Sequence, residues 1–226
     1  MARIVVLCEA DQSQIFEQLD IFYDILESRI LASFDSLEEE AKELESNRLK
    51  ELNENFNPDY MDAYTMHEDA YAKGGKYYAI HTQMEQSLLN MSTVWLYHLF
   101  EQQLFMISKK IIYGFNHTGR DAMQKIINCL DSKNIKLESW SKIKELKFVA
   151  NTIKHAEGNS LDKLRGLRPD LFIKSCGTVV SEVSIPLFRN EIEISHEDLK
   201  TYRDEIIHFW NDFFEKIKIM ERITKC

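Results

Sequence analysis

The chain is short of the residues that make turns, with 7 glycines and 3 prolines in 226 positions. Sandwiches and barrels need a turn signal every ~8–12 residues, so this poverty argues against an all-β fold and for helices. Cysteine is equally thin: Cys8, Cys129, Cys176 and Cys226 stand apart, with no CxxC and no cysteine–histidine pairing. Neither a zinc site nor a disulfide framework is signalled, and reduced thiols in a cytoplasm are expected. No glycine-rich phosphate loop occurs, which leaves nucleotide hydrolysis and dinucleotide binding without support. A long uninterrupted apolar run is also lacking. The most apolar stretch, 88–112, carries His98, Glu101, Gln102, Gln103, Lys109 and Lys110 and reads as a buried core helix with no role in a membrane. The opening apolar run ends at Glu9 and Asp11, too short for a signal-peptide core, so export is not expected. Surplus positive charge is missing too: a net charge of −9 argues against a protein that coats nucleic acid non-specifically, while a local basic site remains open.

What is present is helical periodicity. From Gln14 to Asn53 the residues Ile15, Leu19, Phe22, Leu26, Ile30, Phe34, Leu37, Ala41 and Leu44 recur every three or four positions, which predicts one long amphipathic helix. Its second half is crowded with Glu, Lys and Arg, as suits a solvated or coiled-coil-like arm. Asn57-Pro58 and Gly74-Gly75 bracket a tyrosine-rich connection. Four helices, expected at 77–113, 120–130, 137–155 and 196–223, suffice for an antiparallel bundle. The last opens on a capping signal at Ser195. Alternating β-branched residues around 172–194 predict a small β-hairpin as an appendage before that helix. The expected fold is therefore all-α, with residues 1–56 as an N-terminal helical arm serving a dimer or a partner protein, and 57–226 as the bundle with its hairpin insertion. No Pro-, Gly- or Ser-rich linker divides the chain further.

The chemistry concentrates between Lys147 and Arg168. Asn151 and His155 are four apart and share a helix face, with Lys144 and Lys147 extending the same edge. The carbonyls of a helix C-terminus favour cations, and an imidazole is the side chain suited to proton exchange near neutral pH. Residues 141–168 hold seven basic residues (Lys142, Lys144, Lys147, Lys154, Lys163, Arg165, Arg168) against three acidic ones, a local +4 in a chain of −9. That pattern fits an anion site, phosphate most naturally; composition alone favours an ordinary wet helix face with His155 set against the terminal carbonyls. Elsewhere, Glu101 in the apolar helix reads as a partner for a basic residue near the cleft or as a core-edge residue reaching water. His81, Glu85 and His98 do not form the repeated Glu-x-x-His pattern of a bundle metal site, so no metal and no cofactor is expected. Ser160 reads as a cap, with no nucleophile elbow around it.

The run Phe148-Val-Ala-Asn-Thr-Ile-Lys-His155, near the end of a helix, resembles the signature helix of the HEPN superfamily (higher eukaryotes and prokaryotes nucleotide-binding domains). The segment Ser92–Glu101 is similar to the preceding helix of several such families, in which an acidic residue faces the motif. The resemblance spans about residues 77–172. It implies a small, dimeric helical bundle and, for many members, metal-independent RNA cleavage in toxin–antitoxin or antiviral defence systems. On that pattern Asn151 and His155 match the polar and histidine positions, and Ala150 stands where the family carries its arginine. His155 and Asn151 would be catalytic, with Lys147, Lys154, Arg165 and Arg168 binding phosphate and Glu101 in support. In a homodimer two His155 edges would face each other across one cleft. The competing expectation is a non-catalytic interaction module that recruits a partner protein through its N-terminal helix.

Overall fold

The computed structural model describes residues 9–60, 62–111, 122–132, 136–155, 158–172 and 192–224. Its elements are α1 (Glu9–Ile25), a π-helical turn (Leu26–Ile30), a 3₁₀ turn (Leu31–Phe34), α2 (Leu37–Glu54), α3 (Ala63–Ile111), α4 (Ala122–Asp131), α5 (Trp140–His155), α6 (Asn159–Leu167), a second 3₁₀ turn (Pro169–Leu171) and α7 (His196–Thr224). The all-α expectation holds. Among the described residues the only extended pairing is an isolated antiparallel bridge between Phe172 and Ile192. Most of the segment expected to form a hairpin, residues 173–191, lies outside the described residues.

The expected single helix over 14–53 is broken in its middle. Ser28 and Ser33 turn their hydroxyls back onto the carbonyls of Asp24 and Ile30, both at 2.6 Å. Such bonds compete with the helical ladder and bend it. The helix restarts behind Ser36, whose hydroxyl bonds Glu40, with Glu38, Glu39 and Glu40 in the electropositive first turn. Both pieces nevertheless run antiparallel along α3. Asp11 pairs with Lys110, Gln103 bonds Gln18, Tyr77 bonds Glu40 and Arg48 bonds Asp69. The apolar stripe that a dimer interface was expected to cover is therefore largely covered within the same chain, by the bundle core including α7 under α1 and by α3 under α2: Ile15, Leu19, Leu26, Leu31, Leu37 and Ala41 are all buried.

α3 is 49 residues long, about 74 Å at 1.5 Å per residue. It starts well before the expected residue 77 and passes straight through Gly74-Gly75, which sequence reading placed at the edge of a connection. The reason is tertiary. A Cβ on Gly74 would stand 2.7 Å from the carbonyl oxygen of Ala41, so this glycine lets α2 lie against α3. Gly75 has nothing within 4 Å of a Cβ. The two neighbours should thus respond oppositely in thermal unfolding. Gly74→Ala is expected to destabilise the α2–α3 arm by about 1–3 kcal/mol through backbone overpacking. Gly75→Ala, at an exposed mid-helix position, should stabilise it by about 0.5–1 kcal/mol; equal responses would show that the helices do not meet there.

The C-terminal half of α3 forms the bundle core with α1, α4, α5 and α7. At its centre Phe100, Phe209, Trp210, Phe213 and Phe214 pack mostly edge-on, as at Phe100–Phe209 (5.0 Å, 88°) and Trp210–Phe213 (5.3 Å, 86°), with Phe209 and Phe213 stacked at 6.1 Å, arrangements favoured by aromatic quadrupoles. Gln103, 2% exposed, is the polar hub of that core. Its Oε1 accepts from Trp210 Nε1 at 3.1 Å, and its Nε2 donates to Gln18 Oε1 at 3.1 Å and the Ile15 carbonyl at 3.3 Å. A polar residue in the most apolar helix is explained by what it ties together: α1, α3 and α7. No helix among the described residues is long and apolar enough to cross a membrane.

Candidate functional site

Helix α5 is built as two faces. Ile143, Leu146, Val149 and Ala150 are buried and define the inner one. The 3.6-residue period places Trp140, Lys144, Lys147, Phe148, Asn151, Lys154 and His155 on the opposite side as one continuous stripe. Lys144, Lys154 and His155 are exposed, and Lys147 and Asn151 half-buried. Lys147, Asn151, Lys154 and His155 have no hydrogen-bond or ion-pair partner among the described residues. Their polar groups are open to solvent and to any ligand.

The turn after α5 folds a second basic element alongside. Gly158 takes φ +106°, a backbone region that disfavours any residue with a Cβ, and α6 then packs back on α5. Lys163 reaches over the Phe148 ring at 5.3 Å, and Lys144 over Trp140 at 5.6 Å. Arg165 lies over Phe172, also at 5.3 Å. The result is a basic edge interleaved with half-buried aromatic rings. Sequence reading assigned Trp140 to the inner face; its ring packs on the core and still borders this edge.

Arg168 belongs to a different place. Its guanidinium bonds Asp170 (2.7 Å), Asp198 (2.7 Å) and Glu145 (3.0 Å), so α5, the Pro169–Leu171 turn and α7 meet on one cation. Glu145 also accepts from Lys142 (2.9 Å) and Tyr202 (2.9 Å). Burial raises the Glu145 carboxyl, but hydrogen bonds from Lys142, Tyr202 and Arg168 outweigh it and hold the group below its ordinary value. Asp198 is lowered in the same way, burial opposing and Arg168 and Ser195 prevailing. Burial, and then the Glu145 charge, push the Tyr202 hydroxyl up. Arg168, expected among the phosphate ligands, has three carboxylates on its fork and ties α5, the Pro169–Leu171 turn and α7 together. The local count of seven basic residues could not reveal this, because Asp198 is 30 positions away in sequence.

Glu101 faces its own helix. It accepts from Tyr97 at 3.4 Å and lies 3.7 Å from His98 Nδ1; among the described residues no hydrogen bond or ion pair joins it to α5. Ala150, at the position where the resemblance expects arginine, is 0% exposed. A guanidinium at this position would enter the core, where a charge needs a partner to be tolerated. Thr152, next to Asn151, is buried and its Oγ1 has no partner among the described residues. Among the described residues no group of three or more His, Cys, Asp or Glu side chains could hold a metal ion.

The chain matches no protein-family model, no curated protein and no solved structure.

Proposed function

We propose that the outer edge of α5 is an RNA-binding surface in an HEPN-like protein, and that it binds the phosphate backbone without cleaving it. One observation carries this reading. Lys147, Asn151 and His155 stand on one solvent-facing edge with unengaged polar groups, and Lys144 and Lys163 overlie the flanking Trp140 and Phe148 rings. Alternating cations and rings suit a single strand, in which phosphates pair with ammonium groups and unstacked bases meet aromatic faces. Asn151 contributes both a donor and an acceptor, and His155 a donor to a phosphate oxygen.

Cleavage by the family's chemistry needs a positively charged fork on the phosphate that the imidazole serves. Position 150 supplies none, Arg168 is committed to carboxylates, and a lysine is a point charge that cannot grip two oxygens in the same plane. The edge retains affinity and loses that stabilisation of developing charge.

Fluorescence anisotropy with a labelled single-stranded RNA at low salt tests the proposal. Binding should weaken steeply as salt rises, because each neutralised phosphate releases counterions. Replacing both Lys147 and Lys154 by Glu should weaken it by at least about tenfold, and His155→Ala by a smaller factor. RNA incubated with the protein in EDTA should stay intact. Absence of RNA affinity at low salt would refute the reading; degradation that His155→Ala abolishes would replace it with a metal-independent ribonuclease.

A further inference from the structure

The first half of α3 carries tyrosines at 64, 71 and 78. Seven residues are two helical turns, so the three rings form a ladder on one face, with a rise of about 10.5 Å per step. They are 68%, 70% and 46% exposed, which is far from the usual state of a large ring on a helix with a well-packed partner. This face is separate from the one against α2, which uses Met66, Ala70 and Gly74. Gly75 lies beside the ladder, four residues after Tyr71 and three before Tyr78, and among the described residues nothing lies within 4 Å of where its Cβ would stand. Its neighbour shows what a glycine in this helix is for: Gly74 admits the backbone of another helix.

We infer that the Tyr64–Tyr71–Tyr78 face is a homodimer contact, in which the α3 helices of two copies cross antiparallel at Gly75. The face is self-complementary about that point. Antiparallel pairing centred on Gly75 brings Tyr71 of one copy within one residue, about 1.5 Å along the axis, of the level of Tyr78 in the other. Each pair of rings then meets twice by symmetry, as an isologous contact requires. Ala72 and Ala79, on the far side of Gly75 from the tyrosines, leave room for the backbones to approach. At their observed exposure the three tyrosines offer on the order of 400 Å² per copy, about half of what one partner of a standard stable interface buries. The rest must come from the flanking turns of α3, which the crosslinking and sedimentation tests probe.

Charge also favours a second copy over a partner chosen for its own charge. The ladder face carries one ionised group, Glu68, which bonds Tyr64. The seven glutamates of α2 sit on the other helix of the arm. Their mutual repulsion makes the dimer tighter as salt rises, the opposite of the salt response expected for RNA on α5. This contact is also distinct from a cleft formed by facing His155 edges, and the two readings can fail separately.

Sedimentation equilibrium of the full chain should show a monomer–dimer equilibrium. Replacing Tyr71 and Tyr78 together by Glu should raise its Kd at least about tenfold, with helical content unchanged by circular dichroism. Gly75→Ala should weaken the dimer while raising monomer stability, a combination that a purely structural glycine would not give. Under mild oxidation Gly75→Cys should form a disulfide-linked dimer absent from the wild-type chain, since the bond needs Cα atoms within about 7 Å. A monomer at all concentrations overturns the proposal. So does a dimer indifferent to these variants, including one broken instead by Trp95→Glu on the other exposed face of α3, or failure of Gly75→Cys to crosslink. RNA affinity retained by a monomeric tyrosine variant would leave the α5 reading standing alone.

Discussion

Arg168→Ala is expected to lower the stability of the fold by about 2–4 kcal/mol, far more than loss of a solvent-facing phosphate ligand would. The side chains of Glu145 and Asp198 are 12% and 18% exposed, and each loses its guanidinium partner. Asp198 is left without a cation and keeps only the Ser195 donors, while Glu145 keeps Lys142 and Tyr202, so most of the cost falls on Asp198 and on the lost tie between α5 and α7. Asp170, 61% exposed, is rehydrated and contributes little. Arg168→Lys should recover only part of the loss, because one ammonium cannot reach three carboxylates in separate directions. Chemical denaturation of the two variants, read beside RNA affinity, separates a clamp from a ligand. A variant that loses affinity and keeps its unfolding midpoint would return Arg168 to the binding site.

The same network sets a pH dependence. Glu145, Asp170 and Asp198 all have folded-state values lowered below their ordinary ones. A lowered carboxylate contributes stability that is present above its unfolded value, about pH 4, and is lost as pH falls through the folded value. Acid unfolding of the wild type should therefore set in below about pH 4, and Arg168→Ala should flatten the profile there as well as lowering it. Unchanged acid sensitivity in the variant would place the responsible carboxylates elsewhere.

Asn90→Leu is the second substitution with a large expected effect, about 2–4 kcal/mol. Asn90 is 1% exposed. Its Nδ2 donates to the Ile192 carbonyl at 2.9 Å, and its Oδ1 accepts from the Ile194 amide and Gln86 Nε2, both at 3.2 Å. Gln86 also donates to the Ile194 carbonyl at 3.0 Å. These bonds satisfy backbone groups that have left one helix and not yet entered the next, beside the Phe172–Ile192 bridge. Leucine keeps the branching and heavy-atom count of the side chain and removes the partners, so buried backbone groups are stranded. Hydrogen exchange should show the loss first at residues 192–199 and the start of α7, ahead of the aromatic core. Uniform loss across the molecule would mean that Asn90 supports the whole bundle, with no local role as a clasp.

The reach of sequence reading differs from one element to the next. α5 and α7 were legible nearly to the residue because their boundaries are local: a glycine with positive φ follows α5, and Ser195 and Asp198 cap α7 through bonds between their own backbone and side chains. The start of α3 was missed by 14 residues because Gly74-Gly75 was read as a breaker. A glycine pair looks the same whether it ends a helix or lets another helix touch it, and the difference is a carbonyl 33 residues away. The break in the first helix was likewise hidden, since serines within an apolar period do not announce which carbonyls they will bond.

The candidate site divides along the same line. By itself the sequence determined that α5 carries Lys147, Asn151, Lys154 and His155 on one edge, because a helical period is a property of the chain alone. Only the tertiary structure decided that Arg168 leaves this set for three carboxylates and that position 150 faces the core, where a guanidinium has no place. Those facts depend on which surfaces α6 and α7 present to α5, and charge pairing and burial across helices act between residues that composition and spacing do not bring together.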